Sequence, residues 1–380
     1  MKIGLLVPGS NYLPTVGKDI VACVKHGLAD ELDVVALTIE PGGYNAAKQL
    51  VLDKIQSMVL KDDIDLVLAP LNVGLFPELD AMLKSNDIPI IANWLGEDVY
   101  FDEHKSDYIF SNSIDQWQSS WMAGRYAGEH FGKTAATFSS IHDGGYGVAL
   151  AYAIGFEGAG GAPKYTGVTH RTARDEDSTE SIKEGMSDGV DTVYALYSGK
   201  EAVSFLRDYW ALGHSNETLI TNYFMVEDDV LESVGKQAIG IKTISNWDKD
   251  DDSNPLNVEF NQWFKDKLKK PSHIYGLLAY ETGLILADVI RSGVDISDTN
   301  AFFKALADTR VDGPRGMVNL SRGEDIIRKE YLLEVAERED GSLYRKRIKE
   351  LEVPELYTEQ LALAKKNLQK NGWLNPYLIA

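Results

Sequence analysis

Short, almost uninterrupted apolar runs alternate along this chain with stretches of helical periodicity, and few folds accept that pattern. Runs at 3–7, 34–39, 66–69, 89–92, 108–110, 135–139, 193–196, 219–222 and 240–244 read as strands. A strand with one wet face alternates apolar with polar; one that is apolar at nearly every position is covered on both faces. The intervening stretches are helical. Val16, Ile20, Val24 and Leu28 recur every four residues. Ile114, Trp117, Trp121, Gly124, Gly128 and Phe131 make a second stripe, in which the two tryptophans read as core. Ile274, Leu277, Leu278, Glu281, Leu284 and Ile285 make a third. The β-α-β-α order predicts an α/β fold of open parallel sheets with right-handed crossovers.

The last part of the chain changes character. Residues 316–320 and 330–336 read as strands, and Asp340-Gly341 sets up a hairpin between 330–336 and 343–348. Residues 356–369 form a charged amphipathic helix, followed by Gly372-Trp373-Leu374-Asn375-Pro376. There is no repeat with a period of 20–50 residues.

At 380 residues the chain is long enough for two cores. Lys and Arg number 38 against 58 Asp and Glu, a formal charge of −20. That excess opposes nucleic-acid binding, which needs a basic face, and docking on anionic lipid. No run of 18 apolar residues exists, so direct membrane insertion by a helix is not expected. Cys23 is the sole cysteine, which excludes an internal disulfide and a multi-thiolate metal site. The start, MKIGLLVPGS, reads as a strand and not as a signal peptide. It implies either a cytoplasmic protein or one whose leader has been replaced by Met1.

Catalytic and cofactor motifs are missing: there is no Gly-x-Ser-x-Gly, Walker loop or His-Glu-x-x-His. The glycines at 155, 158, 160 and 161 have the wrong spacing for a dinucleotide loop and read as a helix end. His142-Asp143 has no marked nucleophile to serve and reads as a polar loop. Asp248, Asp250, Asp252, Asn254 and Glu259 fall at calcium-loop spacing, but Ser253 stands where that loop needs Gly. The run therefore reads as an acidic linker capping a helix that begins near Pro255. Neither an enzyme nor a cofactor is expected.

Four segments in order carry a resemblance. They are Ile3-Gly4-Leu5-Leu6-Val7-Pro8 with Gly9-Ser10-Asn11-Tyr12; Phe110-Ser111-Asn112-Ser113 with the later His142-Asp143-Gly144-Gly145-Tyr146-Gly147; Tyr275-Gly276-Leu277-Leu278-Ala279-Tyr280-Glu281-Thr282; and Val311-Asp312-Gly313-Pro314-Arg315-Gly316-Met317-Val318. This order resembles the type I periplasmic binding proteins, in particular the leucine/isoleucine/valine-binding receptors of ABC transporters, over residues 1–350. The resemblance implies two Rossmann-like lobes with parallel central sheets, three hinge crossings and a ligand cleft between the lobes. Lobe 1 would hold residues 1–113 and 248–315, lobe 2 residues 114–247 and 316–350, and residues 351–380 would be a C-terminal helical extension.

In open parallel sheets a ligand sits beyond the carboxyl ends of the strands. The residues that follow those strands here are rich in aromatics and amides: Ser10 and Tyr12, Asn72, Asn93 and Trp94, Tyr146, Tyr197, and Glu227. Aromatic walls with a few directed polar groups suit a buried small molecule. The resemblance implies further roles. Tyr146 would cover the ligand, Glu227 or Asp228 would receive an α-ammonium, and Tyr275 would stand at the cleft rim. The loops that usually hold a ligand carboxylate, Leu71-Asn72-Val73-Gly74 and Asn93-Trp94-Leu95-Gly96, lack their hydroxyl.

The expected function is a solute-binding protein of an ABC importer that traps an amino acid or amino-acid-like compound by hinge closure and is read by a membrane permease. It would be periplasmic or otherwise extracytoplasmic. Two alternatives stand beside it: a cytoplasmic amide or amino-acid sensor on the same fold, and a binder of urea, an amide or an aromatic carboxylate.

Overall fold

The computed structural model describes residues 1–43, 48–141, 145–170, 177–323 and 325–367, with the backbone alone at 145 and 146. The first lobe is built on a parallel sheet in the order β2-β1-β3-β4-β5. Its strands are β1 (Lys2–Pro8), β2 (Ala36–Gly43), β3 (Leu66–Pro70), β4 (Ile90–Trp94) and β5 (Ile109–Ser113). The helices between them are α1 (Val16–Leu28), α2 (Lys48–Lys61) and α3 (Phe76–Asn86). Apolar runs arise here because alternate residues serve opposite faces. Ile3, Leu5, Leu66 and Leu68 pack with α1, while Leu6, Val67 and Ala69 pack with α2 and α3.

The chain then enters a second, seven-stranded sheet in the order β14-β13-β10-β9-β8-β6-β7. After α4 (Gln116–His130) come β6 (Thr134–Ser140), α5 (Gly145–Gly158), β7 (Ala162–Thr169), α6 (Thr179–Met186), β8 (Thr192–Leu196), α7 (Gly199–Ala211), β9 (Leu219–Thr221), α8 (Asp228–Val234) and β10 (Lys242–Ser245). Helices α4 and α5 touch backbone to backbone: a Cβ on Gly124 would strike the Tyr152 carbonyl. Trp117 and Trp121 are buried in this layer, as their spacing predicts.

From β10 the chain returns to cover the first sheet with α9 (Pro255–Leu268), α10 (Ile274–Arg291) and α11 (Thr299–Asp308). The small pair β11 (Val311–Gly313) and β12 (Gly316–Val318) follows. The third crossing still touches the first sheet, since Ser321 bridges back to Ser111 of β5. The predicted hairpin then adds β13 (Glu330–Glu337) antiparallel to β10 and β14 (Leu343–Leu351) antiparallel to β13, so the second sheet is mixed. Helix α12 (Glu355–Asn367) lies on the second lobe. Tyr357 packs edge-on against Trp121, and Gln360 accepts the Trp121 indole N–H at 2.7 Å.

Three readings of the sequence are corrected. The strand placed at 34–39 begins at Ala36, because 29–34 coil into a 3-10 turn. Strand β7 is not marked by an apolar run, since as the edge of its sheet it pairs with β6 alone and stays half wet. The acidic run 248–252 does not cap α9; the Asn254 side chain does, accepting the Leu256 N–H at 3.0 Å. The acids hold arginines of β14 instead. Asp250 accepts from Arg345 at 2.7 Å, while Asp248 and Asp251 accept from Arg347 at 2.7 and 2.6 Å. Those carboxylate oxygens are engaged by guanidinium groups.

Glu330, at the start of β13, is wholly buried and accepts bonds from Gln118 and Ser119. Burial pushes its carboxyl up to about 8. Such a group favours the fold fully below its unfolded value near 4.5 and loses that contribution as pH rises through about 8. Urea midpoints are expected to fall between about pH 5 and about pH 9, with a clearly shallower fall for Glu330→Gln. Equal slopes in the two proteins would place the titrating group elsewhere.

Candidate functional site

The strand order of the first sheet sets the loops after β1, β3 and β4 side by side. In the first loop the Ser10 hydroxyl accepts the N–H groups of Tyr12 and Leu13 at 3.0 and 2.9 Å. This short turn stands Tyr12 up from the sheet. Its hydroxyl crosses to the second lobe and donates to Glu227 Oε2 at 3.1 Å. Its ring lies over Gly199, where φ is +47° and a Cβ would overlap the ring. Tyr275, at the start of α10, places its ring 6.0 Å from Phe224 of the second lobe. Ser10, Tyr12, Glu227 and Tyr275 are thus gathered where the strand ends of the two lobes face each other.

Glu227 immediately precedes α8 and is buried. Burial, reinforced by Asp229, pushes its carboxyl up to about 8 even though Lys249 and the Tyr12 hydroxyl act the other way. Its Oε1 has no hydrogen-bond partner among the described residues. Its neighbour Asp228 serves the fold. It accepts from Arg345 at 2.8 Å and pairs with Lys249.

In the loop after β3, Asn72 caps a 3-10 turn by accepting the Gly74 N–H at 2.7 Å. Its amide donates to Glu97, which lies just beyond β4. Glu97 is buried, and burial pushes its carboxyl up to about 8. Its Oε2 has no partner among the described residues. The Glu97 carbonyl meets the second lobe, since a Cβ on Gly147 of α5 would strike it. The sequence reading missed Glu97; the signal was an acid three residues past Trp94, beyond the point where the loop was judged to end.

The other candidates point elsewhere. Strand β4 runs on to Trp94, so Asn93 and Trp94 are strand residues and not loop residues. Asn93 accepts the Thr282 hydroxyl of α10 at 2.8 Å. The Trp94 ring sits edge-on to Tyr100 at 5.2 Å, and its unpartnered indole N–H belongs to a residue lining a separate cavity of about 40 Å³ with Tyr100, Asp115 and Arg328. Tyr197 is fully buried, bonded to Thr169 at 2.9 Å and stacked on Phe205. His142 and Asp143 lie outside the described residues, as does the Tyr146 side chain. Among the described residues no cluster of three or more His, Cys, Asp or Glu suits a metal ion, and no helix is long and apolar enough to cross a membrane.

Residues 1–340 match the family described as Periplasmic binding protein. The Leu/Ile/Val-binding protein homolog 6 of Brucella melitensis is 23% identical over 372 residues, covering 93% of this chain and 92% of that protein. An ABC transporter substrate-binding protein from Sphaerobacter thermophilus superposes with a TM-score of 0.81 at 20% identity, covering 92% of this chain and 97% of the other. A solute-binding protein of an ABC transporter from R. palustris, in complex with benzoate, gives 0.76 at 20% identity, with 92% and 95% covered. A family match along most of the chain, carried on two facing α/β lobes, shows that this protein belongs to the type I periplasmic binding proteins.

Proposed function

We propose that this protein is the solute receptor of an ABC importer, acting outside the cytoplasm and closing on an amino acid or amino-acid-like ligand. Residues 1–113 with 248–315 and residues 114–247 with 316–350 are the two moving bodies. One contact carries the reading: the 3.1 Å bond from Tyr12 to Glu227, which joins loops 215 residues apart across the cleft. A ligand that touches both walls only when they are closed shifts the open-closed equilibrium toward closed. The closed form is what a permease partner would read. Glu227 receives the ligand ammonium, and Tyr12 and Tyr275 supply aromatic walls.

A second reading has an aromatic carboxylate as ligand, supported by the benzoate complex of the R. palustris relative and by the tyrosines here. A thermal-shift panel of amino acids, amides, urea and aromatic acids separates the two. A ligand present at about 100 times its dissociation constant adds roughly 2.7 kcal/mol, a shift of several degrees. Stabilisation by an amino compound, weakened about tenfold or more in Glu227→Gln, is the expected result. Stabilisation by benzoate alone would replace it with the second reading, and no shift across the panel would count against the receptor role.

A further inference from the structure

Tyr12 belongs to the first lobe, yet its side chain is seated on the second. Its hydroxyl donates to Glu227 at 3.1 Å, with Asp229 and Tyr275 close by. Its ring lies against Gly199, the first residue of α7, where a Cβ would overlap the ring carbons Cδ2 and Cε2. Gly199 has φ +47°, a backbone angle that a residue with a side chain seldom adopts. The position therefore excludes a side chain twice, once by its own backbone and once by the ring it receives.

The first lobe holds the ring ready for this seat. The Ser10 hydroxyl accepts the N–H groups of both Tyr12 and Leu13, which fixes the turn that carries the ring. Tyr275 adds a second interlobe contact, its ring 6.0 Å from that of Phe224, and both residues are buried. Hydrogen bonds and ring contacts fade over short distances, so a hinge rotation that parts the lobes breaks these contacts together.

We infer, on the receptor reading above, that Tyr12 is a latch and Gly199 its seat: the protein's own side chains hold part of the population closed, and a solute completes a closure already begun. Contacts that exist only in the closed form favour that form whatever the cleft contains. The latch also sets affinity, because a solute that binds the closed form is held more weakly in proportion to the fraction of molecules that stand open.

The test is a distance measurement on the full chain, unfolded in guanidinium chloride and refolded to free it of any co-purified solute. Spin labels are attached at Lys84→Cys in α3 and Lys183→Cys in α6, both exposed positions, while the native Cys23 is buried. Small-angle scattering of the unlabelled proteins makes the same comparison through the radius of gyration. The wild type is expected to show a short-distance population with no solute added. Tyr12→Phe, which loses the hydroxyl alone, should lower the ratio of short to long distances about two- to tenfold. Gly199→Ala should lower it further, and Tyr12→Ala added to Gly199→Ala should bring no additional opening, since both changes remove one contact. Long distances alone in the wild type, or one distribution shared by wild type, Tyr12→Phe and Gly199→Ala, would overturn the latch. Tyr12→Phe carries the test if Gly199→Ala does not fold. Those negative results leave the receptor reading standing. A thermal-shift panel without any response, beside distances as expected, would count against that reading instead.

Discussion

Replacing Arg315 by Met is expected to cost about 3–5 kcal/mol of stability, read as a lower urea midpoint. Arg315 lies between β11 and β12 with a side chain 2% exposed, against a fully buried Glu281 in α10. Its guanidinium donates to Glu281 at 2.8 Å, to the Ser113 carbonyl at 2.5 Å, to Asn112 at 2.7 Å and to Asn246 at 3.3 Å. Asn112 and Ser113 stand at the first passage of the chain between the lobes and Asn246 at the second, and Arg315 itself precedes the third. One side chain therefore ties all three. Removing it leaves the buried Glu281 with, among the described residues, only the Asn112 amide at 3.1 Å. Such an orphan is far costlier than losing the pair together, so the double variant Arg315→Met with Glu281→Met should recover most of the loss. A cost below about 1 kcal/mol would mean that Glu281 reaches water.

Arg345→Met is expected to have an effect of the same size, about 3–5 kcal/mol, and to change its dependence on acid. Arg345 is buried in β14 and donates to Asp250 at 2.7 Å, to Asp228 at 2.8 Å and to the Val226 carbonyl at 2.8 Å. Burial alone would raise the Asp228 carboxyl, but Arg345 and Lys249 outweigh it and hold the group well below the usual carboxylate range. A depressed group stabilises the fold above its unfolded value near 3.8 and loses that contribution as pH falls toward its folded value. The wild type should therefore lose stability steeply below about pH 4, and Arg345→Met should start lower and fall less. Parallel acid limbs for the two proteins would show that Arg345 does not hold the Asp228 charge. Val226 and Asp228 flank Glu227, so weaker ligand binding should accompany the change.

The buried strands and long helices were legible because burial on both faces leaves an apolar run that no polar loop imitates. Strand β7 was not, since Ala-Pro-Lys-Tyr-Thr-Gly-Val-Thr meets solvent along an edge. Strand β11 is three residues long, too short for any period. Ser10, Tyr12 and Glu227 were legible as residues following strands, and Tyr275 through the resemblance alone. Their meeting was not, because Tyr12 and Glu227 are joined by topology and not by sequence distance. Trp94 misled for a related reason. A residue at the end of a strand can face the packed layer as easily as the cleft, and β4 runs two residues further than its apolar run. Glu281 sat inside an apolar stripe, and nothing local announced that Arg315 would answer it.

Helix α12 has a consequence for how the molecule comes into being. The first sheet is complete at Ser113, yet α10, which covers one of its faces, ends only at Arg291. The second sheet gains its last strand at Leu351, and α12 completes the packing around Trp121 later still. At about 5–20 residues per second, the first sheet waits roughly ten to thirty-five seconds on the ribosome for its cover. One face of the first sheet is thus packed by residues up to Ile109, the other only once α10 has been made, and the second lobe later than either. The two lobes acquire their cover in turn, and removing α12 would expose Trp121 in a second lobe otherwise complete in its sheet.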